Sequence, residues 1–401
     1  MSESNRRRLF ELLKIAGNDI CADCEAENPE WASITLGVFL CKLCASIHRK
    51  IGIHVSRIKS LKLDNWDQSQ VIIMEENGNI LSKKLYEKHL PIYYRKPHPN
   101  DSHVVREQWI RAKYERKEFI NPCSAPYTKG YLEAMLWKRG REDGKFLQRK
   151  FVLNESEGTL KYYVKQTQKM PKTAIKMASL NMNFCPDKIA NPNGMQLTWI
   201  KDGFTRSIFV YSESGKDIID WYTAIRAAKL KYFQIAFPET PVEDLLKLLS
   251  RDFVKEGFLW KTGPRISDSY KRRWFVLDDR KLMYLDQPLD AYPKGELYLG
   301  DSREGYSIKL GVPIGMKDLD GAFSFTLNTP ERTWLFAAQS DDERQLWIKS
   351  FESVINQRSS APNDAINQEV RNDIRNSYDI RKSRDSSIVK HMKQLKEHFV
   401  K

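Results

Sequence analysis

Two pairs of cysteines constrain the fold of this 401-residue chain more than any other feature of its sequence. Cys21 and Cys24 form one Cys-x-x-Cys pair, and Cys41 and Cys44 form a second pair after sixteen intervening residues. Pairs at this spacing are typical of a tetrahedral zinc site in which four thiolates leave no position for water. We therefore predict one structural Zn²⁺ that organises the surrounding loops and takes no direct part in chemistry.

Disulfide bonds and unpaired buried thiols are the alternatives to a zinc site. The chain begins with the polar residues MSESNRRR, which lack the apolar segment of a secretory signal. We therefore expect a reducing compartment, where disulfides are rare. Cys123 and Cys185 have no partner at metal-binding spacing and are expected to be plain thiols.

The length and the charge of the chain bound its class. A chain of 401 residues exceeds one ordinary hydrophobic core and predicts two to four domains. No apolar run approaches about 18 residues, so we expect no membrane-spanning segment. The net charge of +14 indicates attraction to an anionic partner, either nucleic acid or an acidic membrane surface.

The residues between and after the cysteine pairs resemble the zinc-finger module of GTPase-activating proteins for Arf-family small GTPases. The resemblance covers about the first 125 residues and is carried by the segments 28–33, 36–41, 44–56 and 58–66. It implies an N-terminal ArfGAP domain over residues 1–125, in which Arg49, directly after His48, is the catalytic arginine finger. It also implies a surface for GTP-bound Arf, to which we assign Trp31, His48 and Lys50.

An arginine suits this role because GTP hydrolysis develops negative charge that a small GTPase counters incompletely by itself. A guanidinium supplied in trans is planar and always protonated, and in other GTPases it raises the rate by roughly 10³–10⁵. A position close to two metal ligands fixes its backbone and lowers the cost of ordering it. Without the resemblance, Arg49 is an ordinary solvated arginine beside Lys50, Arg57 and Lys59.

Apolar spacing predicts three helical regions in this N-terminal part. The first covers residues 5–16, the second covers 67–88 with a break near Asn77-Gly78-Asn79, and the third covers 103–119. The third region is rich in basic residues, and we expect it to pack with its charged face in solvent.

An internal repeat organises the rest of the chain. Segments 136–138 and 149–153 recur as 259–261 and 273–277. Lys172 recurs as Lys294 and Trp221 as Trp347, so the offsets lie between 122 and 126 residues. A nearly constant shift over about a hundred residues means two copies of one domain. Each copy shows short alternating strands and a closing amphipathic helix. The predicted strands are 150–153, 160–164 and 207–211, then 273–277, 282–285 and 333–337, and the helices are 215–231 and 340–356.

Short strands closed by a helix with an inward tryptophan resemble the pleckstrin-homology (PH) fold. The predicted fold class is therefore multidomain α+β: a zinc-finger ArfGAP module with helices, followed by two PH β-sandwiches that are each capped by a C-terminal helix. The boundaries are 129–232 for the first PH domain, 233–253 for a helical linker, 254–357 for the second PH domain and 358–401 for a polar, mostly disordered tail. Thr240 is the predicted cap of the linker helix, and 386–401 is a further predicted helix.

The PH resemblance implies a phosphoinositide pocket in each copy, because several phosphates on one sugar ring need several converging cations. The implied lipid-binding residues are Lys138, Arg149, Tyr162 and Lys172 in the first copy, and Lys261, Lys271, Arg273, Tyr284 and Lys294 in the second. Leu147 replaces one basic residue of the first copy, and the candidate substitutes are Arg139, Arg141, Lys145 and Lys150. The pattern implies 3-phosphorylated (PIP3-type) head groups, and the alternative is a PH scaffold that binds no lipid.

The order of one zinc finger and two PH copies resembles the dual-PH Arf GAPs of the centaurin-alpha type. It implies a monomeric, cytoplasmic protein that is recruited to the plasma membrane as a peripheral protein and activates Arf there, with no phosphate-cleaving site of its own. One alternative is a phosphoinositide or inositol-phosphate adaptor with a non-catalytic zinc finger. Another is a nucleic-acid binder, but the basic residues concentrate in the lipid-pocket pattern and no recognition-helix or stacked-aromatic motif stands out.

Overall fold

The structure is a computed structural model that describes residues 3–122, 124–201, 203–265, 268–316 and 318–356. The predicted tail (358–401) and the helix predicted over 386–401 lie outside the described residues. In the part of the chain that is described, no helix is long and apolar enough to cross a bilayer.

The N-terminal module packs short helices around a small antiparallel sheet of order β2-β1-β3. Its elements are α1 (Glu3–Leu12), β1 (Trp31–Ser33), β2 (Val38–Leu40), α2 (Lys42–Lys50), β3 (Ile58–Ser60), α3 (Gln68–Glu76), α4 (Gly78–Tyr86) and α5 (His103–Ile110), which continues as the π-helical turn Arg111–Glu115. The predicted break in the second helical region is confirmed: α3 ends at Glu76 and α4 begins at Gly78. The φ of +83° at Gly78 is a conformation that favours glycine.

The solvated charged face predicted for the third helical region is wrong at Arg106 and Lys113, which are buried, whereas Lys117 is exposed. Lys113, in the turn after α5, is fully buried. Its ammonium donates to the carbonyl of Ala22 at 3.0 Å, pairs with Glu87 at 2.8 Å and lies 3.7 Å from the Asp23 carboxylate. A buried charge requires partners of this kind. The prediction failed because these partners come from distant parts of the chain.

Two seven-stranded antiparallel sheets follow, with orders β7-β6-β5-β4-β10-β9-β8 and β14-β13-β12-β11-β17-β16-β15. The first copy contains β4 (Tyr131–Arg139), β5 (Phe146–Asn154), β6 (Thr159–Tyr163), β7 (Thr173–Lys176), β8 (Asn181–Phe184), α6 (Pro186–Ile189), β9 (Gly194–Lys201), β10 (Phe204–Tyr211) and α7 (Gly215–Ala236). After α8 (Val242–Lys247), the second copy contains β11 (Lys255–Lys261), β12 (Lys271–Leu277), β13 (Lys281–Leu285), β14 (Gly295–Tyr298), β15 (Ser307–Leu310), β16 (Phe323–Asn328), β17 (Thr333–Ala338) and α9 (Asp341–Ile355). The two orders are identical position by position, so the predicted duplication is a duplication of fold.

A long helix closes each sheet and buries one tryptophan. Trp221 of α7 is 1% exposed and Trp347 of α9 is 0% exposed. Each indole meets a phenylalanine of the second strand edge-on, Phe151 at 6.3 Å and Phe275 at 6.4 Å between ring centres. Large aromatic side chains dominate the burial energy of small cores, so these pairs fix each helix on its sheet. The predicted multidomain α+β class is confirmed.

The N-terminal module and the first copy share one continuous hydrophobic core, whereas the second copy has a core of its own. Helix α7 of the first copy packs against the N-terminal module. The Arg95 guanidinium lies 2.6 Å from Asp101 of the module, 3.2 Å from the Tyr222 hydroxyl of α7 and 2.8 Å from Asp252, which precedes the second copy. One arginine therefore ties three parts of the molecule together.

The linker differs from its prediction in two ways. Helix α8 begins after Pro241, so Thr240 lies outside it, and the residue at the cap makes no side-chain hydrogen bond. Helix α7 runs to Ala236, so the predicted boundary at residue 232 falls inside it. The reason is packing, since Leu245 and Leu249 of the linker bury the end of α7 at Leu230 and Phe233.

Candidate functional site

Four cysteine sulfurs meet at the N-terminal end of α2. The Sγ atoms of Cys21, Cys24, Cys41 and Cys44 all lie within 4.8 Å of one another. Cys24 Sγ is 3.6 Å from both Cys41 Sγ and Cys44 Sγ. The Cys41 sulfur caps the helix by accepting a hydrogen bond from the Cys44 amide at 3.4 Å, which orders the second Cys-x-x-Cys pair.

The dimensions of this cage fit zinc and do not fit disulfides. A Zn–S distance of about 2.3 Å in a tetrahedron places neighbouring sulfurs about 3.8 Å apart, close to the 3.6 Å found here. A disulfide requires about 2.05 Å. Within the described ranges, no other group of three or more Cys, His or acidic side chains converges in this way. The four predicted ligands are thus brought together.

His48 lies beneath the cage and is completely buried. Its Nε2 is 2.9 Å from Asp23 Oδ2, and its Nδ1 is 2.7 Å from the Ser56 hydroxyl. Burial raises the pKa of Asp23, but the hydrogen bond to His48 and the charges of His48 and Lys113 outweigh it, so this pKa is lowered. The prediction that His48 contacts Arf is corrected, because a side chain with no exposed surface reaches no partner.

Arg49 stands on the surface at the last turn of α2. Its Cζ lies 4.4 Å from the centre of the Trp31 ring, a cation–π distance. Trp31 opens β1 and is half-buried, and Lys50 is exposed beside Arg49. The arginine is therefore held between a rigid strand and a helix that begins at the metal cage.

The pocket residues predicted in the two copies occupy equivalent positions. The Lys138 ammonium lies 5.4 Å from the centre of the Tyr162 ring, and the Lys261 ammonium lies 4.9 Å from that of Tyr284. Each lysine also donates to the carbonyl of the residue that follows it, at 2.9 and 2.8 Å.

The other members repeat in the same way. Arg149 and Arg273 each donate to the preceding carbonyl, at 3.0 and 2.8 Å. The amides of Lys172 and Lys294 donate to the carbonyls of the two tyrosines, at 2.9 and 2.8 Å. The structure therefore gives the two predicted sets equivalent positions and the same contacts.

The pocket lysines have unusual titration behaviour. Burial, followed by repulsion from neighbouring arginines, lowers the pKa of Lys138 and of Lys261 to about 8. The strongest repulsion comes from Arg206 at Lys138 and from Arg332 at Lys261. A group of cations that repel one another is suited to a multiply charged anion.

The second pocket contains a carboxylate as well as its cations. Asp286 pairs with Arg273 at 3.1 Å and with Lys294 at 2.7 Å. Lys271 stands opposite Lys261 in the register, whereas Leu147 stands opposite Lys138. The second pocket is thus richer in basic residues but partly neutralised.

Comparison with known proteins agrees with this division of the chain. Residues 6–123 match the family model described as a putative GTPase activating protein for Arf, and residues 253–356 match that of the PH domain. The human Arf-GAP with dual PH domain-containing protein 2 is 44% identical over 357 residues, which cover 88% of this chain and 93% of that protein. The rat protein of that name is also 44% identical, with 88% and 94% covered. This chain belongs to the Arf-GAPs with dual PH domains.

One pair of residues in this dual-PH Arf-GAP was missed by the sequence reasoning. Arg206 on β10 and Arg332 before β17 are equivalent, because Val210 pairs with Lys138 as Phe336 pairs with Lys261. Their offset of 126 residues equals that of Trp221 and Trp347, so the repeat itself carried the signal. Each arginine is the foremost charged neighbour of its pocket lysine.

Proposed function

We propose that the chain accelerates GTP hydrolysis by GTP-bound Arf and that phosphoinositides of the PIP3 type recruit it to the membrane where it acts. Membership of the Arf-GAPs with dual PH domains supports the activity. The observation that carries the proposal is the exposed arginine one residue beyond the buried His48, next to a cysteine cage that fits zinc.

In this proposal Arg49 enters the nucleotide site of Arf and lies against the phosphoryl oxygens. Its guanidinium neutralises charge that develops in the transition state, while the GTPase orients the attacking water. The contact with Trp31 at 4.4 Å and the anchored His48 limit the freedom of the arginine before it binds. Trp31 and Lys50 form part of the Arf-binding surface.

The metal ligands would be Cys21, Cys24, Cys41 and Cys44, with one zinc ion per chain. Bound zinc supplies structural cross-linking rather than Lewis-acid chemistry, because four protein thiolates complete its tetrahedron. The cage fixes the start of α2, and the helix carries this order to Arg49 at its other end.

Each PH copy binds one head group in this proposal. In the first copy the ligands are Lys138, Arg149, Tyr162 and Lys172. In the second they are Lys261, Lys271, Arg273, Tyr284 and Lys294. Two modest lipid contacts on one chain reinforce each other through effective concentration.

The proposed units are residues 1–125, a first PH domain that begins at 129 and includes all of α7, a linker, and a second PH domain over 254–357. The protein acts as a monomer and is cytoplasmic until it is recruited to the plasma membrane. No specific nucleic acid takes part.

The test is single-turnover GTP hydrolysis by lipidated Arf on vesicles with and without a 3-phosphorylated inositide. Arg49→Lys keeps the charge but loses the planar fork, and we expect a loss of roughly 10³-fold. Arg57→Lys, at a neighbouring exposed arginine, is the matched control and should retain the rate.

Metal analysis must show that both variants keep zinc. If the wild-type chain accelerates no Arf although it binds the inositide, the zinc finger is a binding surface and the adaptor alternative holds.

A further inference from the structure

A loop of the second copy reaches the pocket of the first. Residues 286–294 connect β13 to β14, and the Ala291 carbonyl accepts the Ser207 amide of β10 at 2.9 Å. The Leu289 carbonyl accepts the Arg139 guanidinium at 3.2 Å. The loop thus contacts the first copy beside Lys138, whose ammonium is bound to the Arg139 carbonyl.

The closest of these contacts involves an arginine of the first pocket. The Arg206 guanidinium lies over the Tyr292 ring at 4.8 Å and donates a hydrogen bond to the Tyr292 hydroxyl. Its Nε is buried and has no hydrogen-bond partner within the described parts of the chain. The charge of Arg206 is near enough to Lys138 to be the foremost cation that lowers its pKa.

In the second copy, the equivalent arginine is supported by an aromatic ring of the same copy. Arg332 lies 3.4 Å from the centre of the Trp334 ring, and Lys261 lies 5.5 Å from that ring. The position equivalent to Trp334 in the first copy is Ile208, which supplies no aromatic face. Arg206 lies 5.8 Å from the centre of the Trp199 ring of its own copy, and the nearer ring, Tyr292 at 4.8 Å, comes from the other copy.

We propose that Tyr292 is a positioning residue for the head-group pocket of the first copy, where it holds Arg206 as a phosphate-binding cation. The inference rests on the proposed binding of inositol polyphosphate groups, whether on a lipid or free in solution. Leu147 leaves the first pocket one cation short at the position of Lys271. Arg206, which has its equivalent in Arg332, is therefore a larger share of the cations that remain in the first pocket, and it is supported from the second copy.

The first pocket is isolated for measurement by Lys261→Ala, which silences the second pocket without touching the loop. Calorimetric titration of this full-length chain with soluble inositol 1,3,4,5-tetrakisphosphate gives the affinity. Adding Tyr292→Ala should weaken it about tenfold, near the upper range for a cation–π contact. Tyr292→Phe keeps the ring and should lose about threefold or less. Vesicles with and without the corresponding 3-phosphorylated lipid then distinguish a lipid source from a free one.

The double-mutant cycle decides whether the tyrosine acts through Arg206. Once Arg206→Ala is present, Tyr292→Ala should change the affinity less than about twofold. Tyr232→Ala is the matched control, since both tyrosines are 38% exposed and Tyr232 lies on α7. The second pocket, measured in a Lys138→Ala chain, should keep its affinity when Tyr292 is replaced, which excludes general misfolding.

Two results would overturn the inference: an affinity that Tyr292→Ala leaves unchanged, or a loss that is just as large without Arg206. A Lys261→Ala chain that binds no head group at all, while the Lys138→Ala chain binds, would instead remove the proposed function of the first pocket, and the inference with it.

Discussion

The two PH copies share a strand order and a set of pocket residues, but they have different surroundings. The first copy shares its core with the zinc-finger module, and α7 is buried on both sides. The second copy has a separate core, and α9 leaves Leu346 55% exposed. Position 220, the equivalent of 346 by the offset of 126, is Asp220 and is only 8% exposed. The same fold therefore serves once as part of a larger body and once as a nearly independent unit.

Removal of the metal should give the largest difference between the two copies. Structural zinc contributes on the order of 10 kcal/mol to the folding of small domains, and the core of the first copy is continuous with the cage. We expect chelation to remove amide-exchange protection from the N-terminal module and from the first copy, while the second copy keeps it. Hydrogen exchange with peptide resolution measures this.

The control for chelation is Cys185→Ala, at a buried cysteine outside the cage, which should leave zinc content unchanged. Equal loss of protection in both copies would contradict the contrast, and so would a loss confined to residues before 125.

A second test compares the two closing helices. Trp221→Ala and Trp347→Ala each remove a fully buried indole and should cost about 3–5 kcal/mol of unfolding free energy. Only Trp221→Ala should also speed the release of zinc to a chromogenic chelator, because α7 packs against the zinc-finger module. Faster zinc release from the Trp347→Ala chain would show that the cores are coupled after all.

A third test uses pH and should give the same result in both copies. The pKa of about 8 at Lys138 and Lys261 is below the usual value, so the free lysines lose their charge as pH rises through 8. A bound phosphate raises these pKa values. The lysines therefore contribute fully to head-group affinity below pH 8, and their contribution decreases as the pH rises above 8. Between pH 7 and pH 9 we expect about a tenfold decrease per pocket.

Calorimetry with one pocket silenced at a time measures the pH effect. Lys138→Arg and Lys261→Arg are the controls, since arginine stays protonated and should flatten the profile. A profile that is as steep with arginine would assign the pH dependence to another group.

The smallest effect concerns the carboxylate found in the second pocket. Asp286→Asn removes the anion that pairs with Arg273 and Lys294. We expect the head-group affinity of the second pocket to rise about threefold, in line with the modest strength of partly exposed ion pairs. Asp341→Asn, at a partly exposed carboxylate of the same copy that pairs with Arg344 on α9, is a matched control that should not raise it. A decrease with Asp286→Asn would mean that the carboxylate orders the cations more than it competes for them.

Much of this arrangement was predictable from the sequence because local patterns carried it. The spacing of Cys21, Cys24, Cys41 and Cys44 predicted a cage of the observed kind, and the constant offset of the repeat predicted two equal folds. Strand alternation located β5, which buries Phe151 and Leu153 on one face, whereas β12 buries the consecutive residues 275–277 and was located by the repeat. These signals depend on neighbours within a few residues or on duplication, which a single sequence displays.

What the sequence did not predict depends on contacts between distant segments. Lys113 looked solvated because nothing nearby in the sequence indicates Glu87 or Ala22 as its partners. His48 looked like a contact residue because it is adjacent to Arg49 in the sequence. Its burial results from contacts with Asp23 and Ser56, which the sequence does not place beside it. The repeat could have revealed Arg206 through its offset to Arg332, but nothing in the sequence indicates that Tyr292 of the other copy is its partner.

Arg95 has a consequence for how a membrane-held molecule finds its target. Its contacts join the zinc-finger module, α7 and the segment that precedes the second copy at one point. If both copies bind head groups as proposed, this link restricts how far the zinc-finger module can turn away from the bilayer. The proposed search of Arg49 for a GTPase on the same bilayer would then take place in two dimensions.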